Sequence, residues 1–384
     1  MEEWKTYKLG SLCRKVCSGG TPKSTCEQYY GGSIPWLNTK EVNFNRIYST
    51  ESTITQSGLD SSAAKWIDEN AVVVAMYGNT AGKVALSKIR LTTNQACCNL
   101  MIDESKADYR FIFYYLMSKY VEIKAKANGA AQQNLNAQQI KDLEIPLPPL
   151  VLQRQISGIL SSLDDKIELN NRINHNLEEQ VQALFDSFVA SDNGLGYHQL
   201  SEIAVINPAR TLSKNTVARC IDMSFLSTSG TFPSGWEYKP YSGGMKFQNG
   251  DTIMARITPC LENGKAGYIN FLDSNETAFG STEYIVLSAK EGYPSEMFYF
   301  LTRNADFIDY AVKNMNGSSG RQRVSGETIG KYSLPVLTTK QLSDLQIHCS
   351  EAMKNICNNC LENRLLVSTR DSLLPKLMSG ELTC

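Results

Sequence analysis

Two long stretches of the chain carry apolar residues at regular helical spacing. In the first stretch, the steps between successive positions are 4 and 3 in strict alternation. This series comprises Ile156, Leu160, Leu163, Ile167, Asn170, Asn174, Leu177, Val181, Leu184 and Phe188. Such an alternation is a heptad repeat, which is typical of a helix that packs lengthwise against another helix. The pattern therefore predicts one long helix within residues 151–193.

The second stretch repeats this series at an offset of 189 residues. It comprises Leu345, Cys349, Ala352, Ile356, Asn359, Asn363, Leu366, Arg370, Leu373 and Leu377. The asparagines recur at the same steps, and an asparagine on such a seam costs stability but fixes the register of the paired helices. We expect the two helices to pair antiparallel, with the register set by Asn170, Asn174, Asn359 and Asn363. The alternative is that each helix packs only on its own globular region.

The rest of the chain predicts two regions of short strands and turns. Apolar runs bounded by glycine and polar residues, at 72–77 and 252–255, are typical of buried strands. Each region continues with a short helix (near 109–126 and 295–313), a Gly-rich loop and a second short helix. Prolines end both regions, at Pro146, Pro148 and Pro149 in the first and at Pro335 in the second.

The two regions are an internal repeat. Residues 140–146 resemble residues 329–335, residues 113–116 resemble 298–301, and residues 81–83 resemble 263–265. The matches occur in the same order, and their offsets drift because loops differ in length. We expect an α+β fold in which two similar mixed α/β heads (1–150 and 194–338) are joined by two antiparallel spacer helices (151–193 and 339–384).

Charge is balanced overall but uneven along the chain. The 384 residues include 38 Lys and Arg and 39 Asp and Glu, for a net charge of −1. By region, the net charge is +3 for 1–150, −4 for 151–193, and 0 for both 194–338 and 339–384. A uniformly basic surface is excluded, so any affinity for nucleic acid from this chain alone should be modest. The acidic first spacer suits a protein partner better than a phosphate backbone.

Motifs for covalent chemistry, metal binding and membrane insertion are missing from the sequence. It has no N-P-P-[YFW] motif of an amino-methyltransferase, and Cys357 and Cys360 have no second pair with which to complete a zinc site. It also contains no apolar run of about 18 residues and no apolar signal core at its start. We therefore expect a cytoplasmic, non-catalytic protein without a metal.

These features resemble the specificity subunit of type I restriction–modification systems. The resemblance covers essentially the whole chain and rests on the twofold repeat and on short motifs. The motifs are GGTP at 19–22, IPW at 34–36, IPLPPL at 145–150, ARITP at 255–259, GSTE at 280–283, GSSGRQR at 317–323 and LLPKLMSGEL at 373–382.

The resemblance implies a division of labour between this chain and its partners. Each head would be a target-recognition domain that reads one half of a bipartite site in double-stranded DNA. The spacer helices would dock two DNA adenine-methyltransferase subunits, and restriction/translocase subunits would join them. No cofactor is expected in this chain, because S-adenosylmethionine, ATP and Mg would be bound by the partner subunits.

The repeat also suggests which residues contact DNA. Two heads that read different bases should hold the phosphate backbone alike, so shared residues are candidates for phosphate contacts and differing residues for base reading. Lys83 and Lys265 are shared beside glycines, although each could be an ordinary solvated turn lysine. Gln133 and Gln322 are shared in matching loops, where they could instead form loop-stabilising hydrogen bonds.

Three sets of differing residues are candidates for base reading. Glutamine and asparagine suit adenine edges, whereas arginine suits guanine edges or phosphate. The sets are Gln132 and Asn134 against Arg321 and Arg323; Asn38, Thr39 and Lys40 against residues 222–224; and Asn79 and Thr80 against Arg256 and Thr258.

Two other functions remain open from the sequence. A protein-interaction scaffold with two adaptor heads and no nucleic acid would fit the near-zero net charge. A fused methyltransferase is disfavoured by the missing motif. Sequence-specific duplex binding in the presence of a methyltransferase partner would argue against the scaffold. Methyl transfer by the chain alone would indicate the fused methyltransferase.

Overall fold

The computed structural model describes residues 4–127, 134–191, 194–318 and 320–382. The chain divides into two compact units. The first unit comprises 1–165 and 366–384, and the second unit comprises 166–365. Each unit therefore contains one head together with parts of both long helices, whereas the domain boundaries expected from the sequence lie at the ends of the helices.

The two predicted long helices are present as single elements. The first long helix spans Leu150–Val189 and the second long helix spans Thr339–Ser379. Every member of the two heptad series is buried or half-buried, including Arg370, whose side chain is only 15% exposed. Burial of the whole series confirms that the sequence pattern marks the packed face of each helix.

Within each unit the long helices run antiparallel. In the second unit, Asn170 Nδ2 donates to Asn363 Oδ1 at 2.9 Å, and Asn359 Nδ2 donates to Asn174 Oδ1 at 2.7 Å. As the residue number rises on one helix it falls on the other, which defines the direction. In the first unit, Arg370 Nη1 donates to Asp164 Oδ1 at 2.8 Å. Here too, a lower residue number on the first long helix is paired with a higher number on the second.

In its described residues, the head of the first unit contains eleven strands in three sheets. The larger sheets have the orders β2-β10-β7-β8-β4 and β5-β3-β9-β6, and β1 pairs with β11. The strands are β1 (Lys5–Lys8), β2 (Cys13–Ser18), β3 (Tyr30–Leu37), β4 (Asn45–Ile47), β5 (Ser52–Ile54), β6 (Trp66–Ile67), β7 (Val72–Ala75), β8 (Val84–Ser87), β9 (Leu91–Thr93), β10 (Cys97–Ile102) and β11 (Glu144–Leu147). Its short α-helices are Gln56–Asp60, Tyr109–Ser118, Tyr120–Ala127 and Ala137–Lys141.

The head of the second unit repeats this arrangement, with ten strands among the residues described there. Its sheets have the orders β13-β20-β17-β18 and β15-β14-β19-β16, and β12 pairs with β21. The strands are β12 (Tyr197–Gln199), β13 (Ala204–Ile206), β14 (Val217–Ile221), β15 (Glu237–Pro240), β16 (Lys246–Phe247), β17 (Asp251–Ala255), β18 (Ala266–Tyr268), β19 (Ala278–Gly280), β20 (Tyr284–Ala289) and β21 (Ser333–Pro335). Its short α-helices are Leu200–Ile203, Met297–Leu301, Ala305–Lys313 and Gly326–Gly330.

Corresponding strands have the same partners in the two heads. The parallel pairing of β3 with β9 recurs as that of β14 with β19, and the antiparallel pairing of β10 with β7 recurs as that of β20 with β17. The mixed α/β fold and the internal repeat expected from the sequence are therefore confirmed. The single helix expected near 109–126 is two helices, as is the one near 295–313.

Each head shares its apolar core with the long helices. In the first unit, Ile156 and Leu160 from the first long helix and Leu377 from the second lie in the core that contains Phe111 and Leu116. The second unit is built alike, with Phe185, Leu345 and Ile356 packed among Phe298 and Phe307. The loops at the ends of β7 and β17 are thus held on a rigid base.

Candidate nucleic-acid interface

Three segments of the second head meet beyond the end of β17. The backbone N–H of Arg256 donates to the carbonyl of Glu283 at 3.0 Å. The N–H of Val324 donates to the carbonyl of Arg256 at 3.0 Å, and that of Thr258 donates to the carbonyl of Gln322 at 3.1 Å. This short ladder brings together Arg256, Thr258 and the Arg321–Arg323 loop, which were candidates from the sequence.

The first head has the same ladder beyond the end of β7. There the N–H of Met76 donates to the carbonyl of Ala96 at 2.8 Å, and the N–H of Leu135 donates to the carbonyl of Met76 at 2.8 Å. Tyr77 forms an antiparallel bridge with Asn134, as Ile257 does with Arg323. The two heads therefore share one backbone frame at this place.

The shared frame corrects one comparison made from the sequence. The structure places Met76, and not Asn79 or Thr80, at the position of Arg256. Asn79 and Thr80 lie in the following 3-10 turn, Gly78–Thr80. Counting along the chain misaligned these loops because they differ in length. The positions that differ between the heads are Met76 against Arg256, Ala96 against Glu283, and Asn134 against Arg323.

Arg323 is held by a bidentate ion pair with Glu283. Its Nε and Nη2 donate to the Glu283 carboxylate at distances of 2.8–2.9 Å, and its Nη1 donates to the carbonyl of Arg321 at 3.0 Å. These hydrogen bonds lower the pKa of Glu283 below its ordinary value, so its carboxylate stays charged. Glu283 was not among the candidates from the sequence, although the GSTE motif at 280–283 contains it.

Two polar atoms of the segment 256–258 have no hydrogen-bond partner among the residues that the structure describes. Arg256 Nε is buried, and its nearest carboxylate oxygen, on Glu283, is 4.0 Å away. Thr258 Oγ1 is also buried and unpartnered within the described residues. Buried polar atoms are nearly always hydrogen-bonded, so two such atoms in one loop indicate a surface that is completed by a ligand or by water.

The two shared lysines each tie their loop to a neighbouring segment. Lys83 Nζ donates to Asn43 Oδ1 at 2.7 Å, and Lys265 Nζ donates to the carbonyl of Met223 at 3.0 Å. Both follow a glycine with positive φ, Gly82 at 84° and Gly264 at 67°. Their equivalence is real, because Ala75 N–H donates to Lys83 O as Ala255 N–H does to Lys265 O. Lysine ammonium groups keep further donors that a phosphate could accept.

The candidates at 38–40 form a capped turn. The Asn38 side chain accepts from the backbone N–H of Lys40. The backbone N–H of Asn38 donates to the Glu41 side chain at 2.9 Å. Lys40 Nζ pairs with Glu51 at 2.5 Å on the exposed surface, which raises the pKa of the lysine. The turn is thus rigid at its start and exposed at Lys40.

The remaining candidates occupy different surroundings. Gln132 and Gln133 lie outside the described residues. Asn79 and Arg321 are exposed, whereas Thr80 and Gln322 are half-buried. The structure therefore groups Arg256, Thr258 and the 321–323 loop, and the Lys265 side chain reaches the turn at 222–225 through the carbonyl of Met223.

The acidic residues of the first long helix have contacts within their own units. Asp164 accepts from Tyr114 and Arg370, and Glu178 accepts from Tyr299 and Thr231. The negative charge of this helix is therefore used largely to bind the heads. The sequence analysis assigned this charge to a protein partner. For Asp164 and Glu178, contacts within the chain also account for it.

The described part of the chain contains neither a metal-binding cluster nor a membrane-spanning helix. Within 4–127, 134–191, 194–318 and 320–382, no group of three or more His, Cys, Asp or Glu side chains could hold a metal ion. Among the same residues, no helix is both long and apolar enough to cross a membrane.

Comparison with protein families gives a match over the first half of the chain. Residues 1–179 match the family model described as "Type I restriction modification DNA specificity domain". The specificity subunit of the type I restriction enzyme MjaIX from Methanocaldococcus jannaschii is 23% identical and covers 99% of this chain and 94% of its own length. That of HindI from Haemophilus influenzae is 20% identical over the full length of both chains.

A solved structure has the same fold. The type I restriction–modification S subunit from M. genitalium superimposes with a TM-score of 0.60 at 18% sequence identity. The match covers 97% of this chain and 96% of that one. The similarity thus extends over both heads and both long helices.

Proposed function

Because the chain belongs to the specificity subunits of type I restriction–modification systems, we propose that its two heads each recognise one half of a bipartite site in double-stranded DNA. The chain is the recognition subunit and not a catalytic one. One observation carries the proposal. The heads share a backbone frame beyond β7 and β17, yet they present different side chains on it.

A shared frame with different side chains is what a two-part recognition protein needs. Contacts to phosphate fix the register on the duplex without reading sequence, whereas contacts to base edges specify it. The lysines Lys83 and Lys265 are common to both heads and suit the first task. The positions of Asn134 and Arg323 differ and suit the second.

The chemistry belongs to partner subunits in this proposal. The long helices dock two DNA adenine-methyltransferase subunits that bind S-adenosylmethionine, and translocase/endonuclease subunits supply ATP- and Mg-dependent restriction. The family assignment supports a role within such a complex. The stoichiometry, the cofactors and a cytoplasmic location are part of the proposal.

The test uses the full chain purified with its methyltransferase partner. The complex is incubated with S-adenosylmethionine and a duplex library of random sequence, and the methylated adenines are mapped. We expect a motif of two short half-sites separated by a fixed number of unspecified base pairs. The chain without partner should transfer no methyl group, and methylation without sequence preference would contradict the proposal.

The Arg321→Ala, Arg323→Ala double variant connects the motif to the structure. We expect it to weaken recognition of one half-site and to leave the other unchanged. Lys313→Gln is the control, because this exposed lysine forms its ion pair with Asp309 on its own helix. Equal losses at both half-sites, or no loss at either, would show that the 321–323 loop does not read DNA.

A further inference from the structure

We propose that Arg323 reads the guanine of a G·C base pair in the half-site of the second head, and that Glu283 is the positioning residue that fixes its guanidinium. The inference rests on the proposed function and names the base and the two residues. Its first support is the count of hydrogen-bond donors that Arg323 keeps.

A guanidinium has five N–H donors, of which one is on Nε and two are on each terminal nitrogen. Glu283 accepts from Nε and from one hydrogen of Nη2, and the carbonyl of Arg321 accepts one hydrogen of Nη1. Among the described residues, one donor on Nη1 and one on Nη2 therefore have no partner. Two such donors in a fixed plane match the O6 and N7 acceptors that guanine presents in the major groove.

The guanidinium is both accessible and fixed. The Arg323 side chain is 39% exposed, and that of Glu283 is 26% exposed. A long exposed side chain normally loses rotamer freedom when it binds, and this cost is reduced here because the ion pair already holds the fork. Both oxygens of Glu283 accept from Arg323, so the carboxylate holds the arginine fork in one orientation.

The rest of the loop supports a ligand at this place. Arg256 Nε and Thr258 Oγ1 are buried without partners beside the ion pair. Arg256, Glu283 and Arg323 together carry a net charge of +1, which suits the approach of DNA. These atoms are the second, independent indication that the surface is completed by binding.

The first head cannot make the same contact. In the shared frame, Ala96 replaces Glu283 and Asn134 replaces Arg323. Alanine has no group to hold a side chain, and asparagine has a single amide. The guanine contact is therefore specific to the second head, which makes the other half-site an internal control for folding and for complex assembly.

The experiment compares the base preferences of three variants in the methyltransferase complex, using the mapped bipartite motif. Arg323→Gln removes the fork, Arg323→Lys keeps the charge but not the bidentate geometry, and Glu283→Gln keeps the size but weakens the ion pair. We expect Arg323→Gln and Arg323→Lys both to reduce discrimination for one G·C pair by roughly 10- to 100-fold. Glu283→Gln should relax the preference at the same base pair by a smaller factor.

The salt dependence of duplex binding separates base reading from phosphate contact. Loss of one phosphate contact lowers the slope of log K against log salt by about 0.9, whereas loss of a base contact leaves it nearly unchanged. We expect a nearly unchanged slope for Arg323→Gln, which removes the charge, and an unchanged half-site for the first head. The inference would be overturned if Arg323→Lys kept the full preference for the G·C pair. It would also be overturned if none of the three variants relaxed the preference at any base pair. Either result would leave the proposed function in place. If the wild-type complex has no bipartite motif at all, the proposed function itself fails.

Discussion

At the scale of single residues, buried amides set the pairing of the long helices. Asn170 is fully buried, and its Nδ2 donates to Glu362 Oε2 at 2.7 Å and to Asn363 Oδ1 at 2.9 Å. The 189-residue offset of the repeat relates Asn170 to Asn359 and Asn174 to Asn363. The bonds Asn170–Asn363 and Asn174–Asn359 are therefore equivalent in the repeat. A slip of either helix by one turn would break both pairs and leave polar groups buried.

Asn170→Ala tests this role. The substitution removes a buried donor and leaves Asn363 Oδ1 without it, so we expect the local free energy of unfolding to fall by about 1–3 kcal/mol. Hydrogen exchange measured by mass spectrometry should speed up in peptides covering 166–174 and 355–366. Asn358→Ala is the control, because Asn358 is an exposed asparagine on the second long helix. Equal effects of the two variants would argue against a register role.

At the scale of elements, acidic side chains on the first long helix bind the heads to the helices. In the first unit, the Tyr114 hydroxyl donates to Asp164 Oδ2 at 2.5 Å, and Arg370 pairs with the same carboxylate. Asp164 and Arg370 are each only 15% exposed. In the second unit, Tyr299 and Thr231 both donate to Glu178. The position of Tyr299 corresponds to Tyr114 in the repeat, so each head places a tyrosine against this helix.

Asp164→Ala should therefore destabilise the first unit selectively. Arg370 would keep only Asp371 as an ionic partner, and Tyr114 would lose its acceptor, so we expect a loss of about 2–4 kcal/mol. Exchange should accelerate in the helix Tyr109–Ser118 and near residues 366–378. Glu179→Ala is the control, since this exposed carboxylate pairs only with His175. A loss of protection confined to the second unit would contradict this role.

At the scale of the whole molecule, charge limits what the chain can do alone. The net charge is −1, and the acidic residues of the first long helix are largely engaged with the heads. Binding to a polyanion gains most of its affinity from released counterions, which requires many cationic contacts. Because the net charge of this chain is −1, we expect partner subunits to supply most of the electrostatic affinity for DNA.

This expectation is measurable by titrating labelled duplex with the chain alone and with the methyltransferase complex. At about 150 mM salt we expect the complex to bind at least tenfold more tightly, with a steeper dependence of log K on log salt. A duplex that lacks both half-sites is the control for non-specific binding. Equal affinities and slopes would show that this chain supplies the phosphate contacts itself.

The sequence by itself determined the long helices, the repeated heads and the absence of a recognised catalytic motif. These features depend on local periodicity and on similarity along the chain, which need no knowledge of distant contacts. The heptad series predicted the buried face of both helices, including Arg370 at a position that is not apolar. The order of matching segments predicted two similar heads, and corresponding strands of these heads pair alike.

Only the tertiary structure decided which loop residues meet. Glu283 and Arg323 are 40 residues apart in sequence, and no periodicity joins them. The offset between equivalent residues grows from 180 at Ala75 and Ala255 to 189 at Leu135 and Val324, because the intervening loops differ in length. Counting along the chain therefore compared Arg256 with the wrong residue, whereas the backbone hydrogen bonds place it opposite Met76. Loop contacts depend on strand register and turn length, and these are fixed only when the sheets have formed.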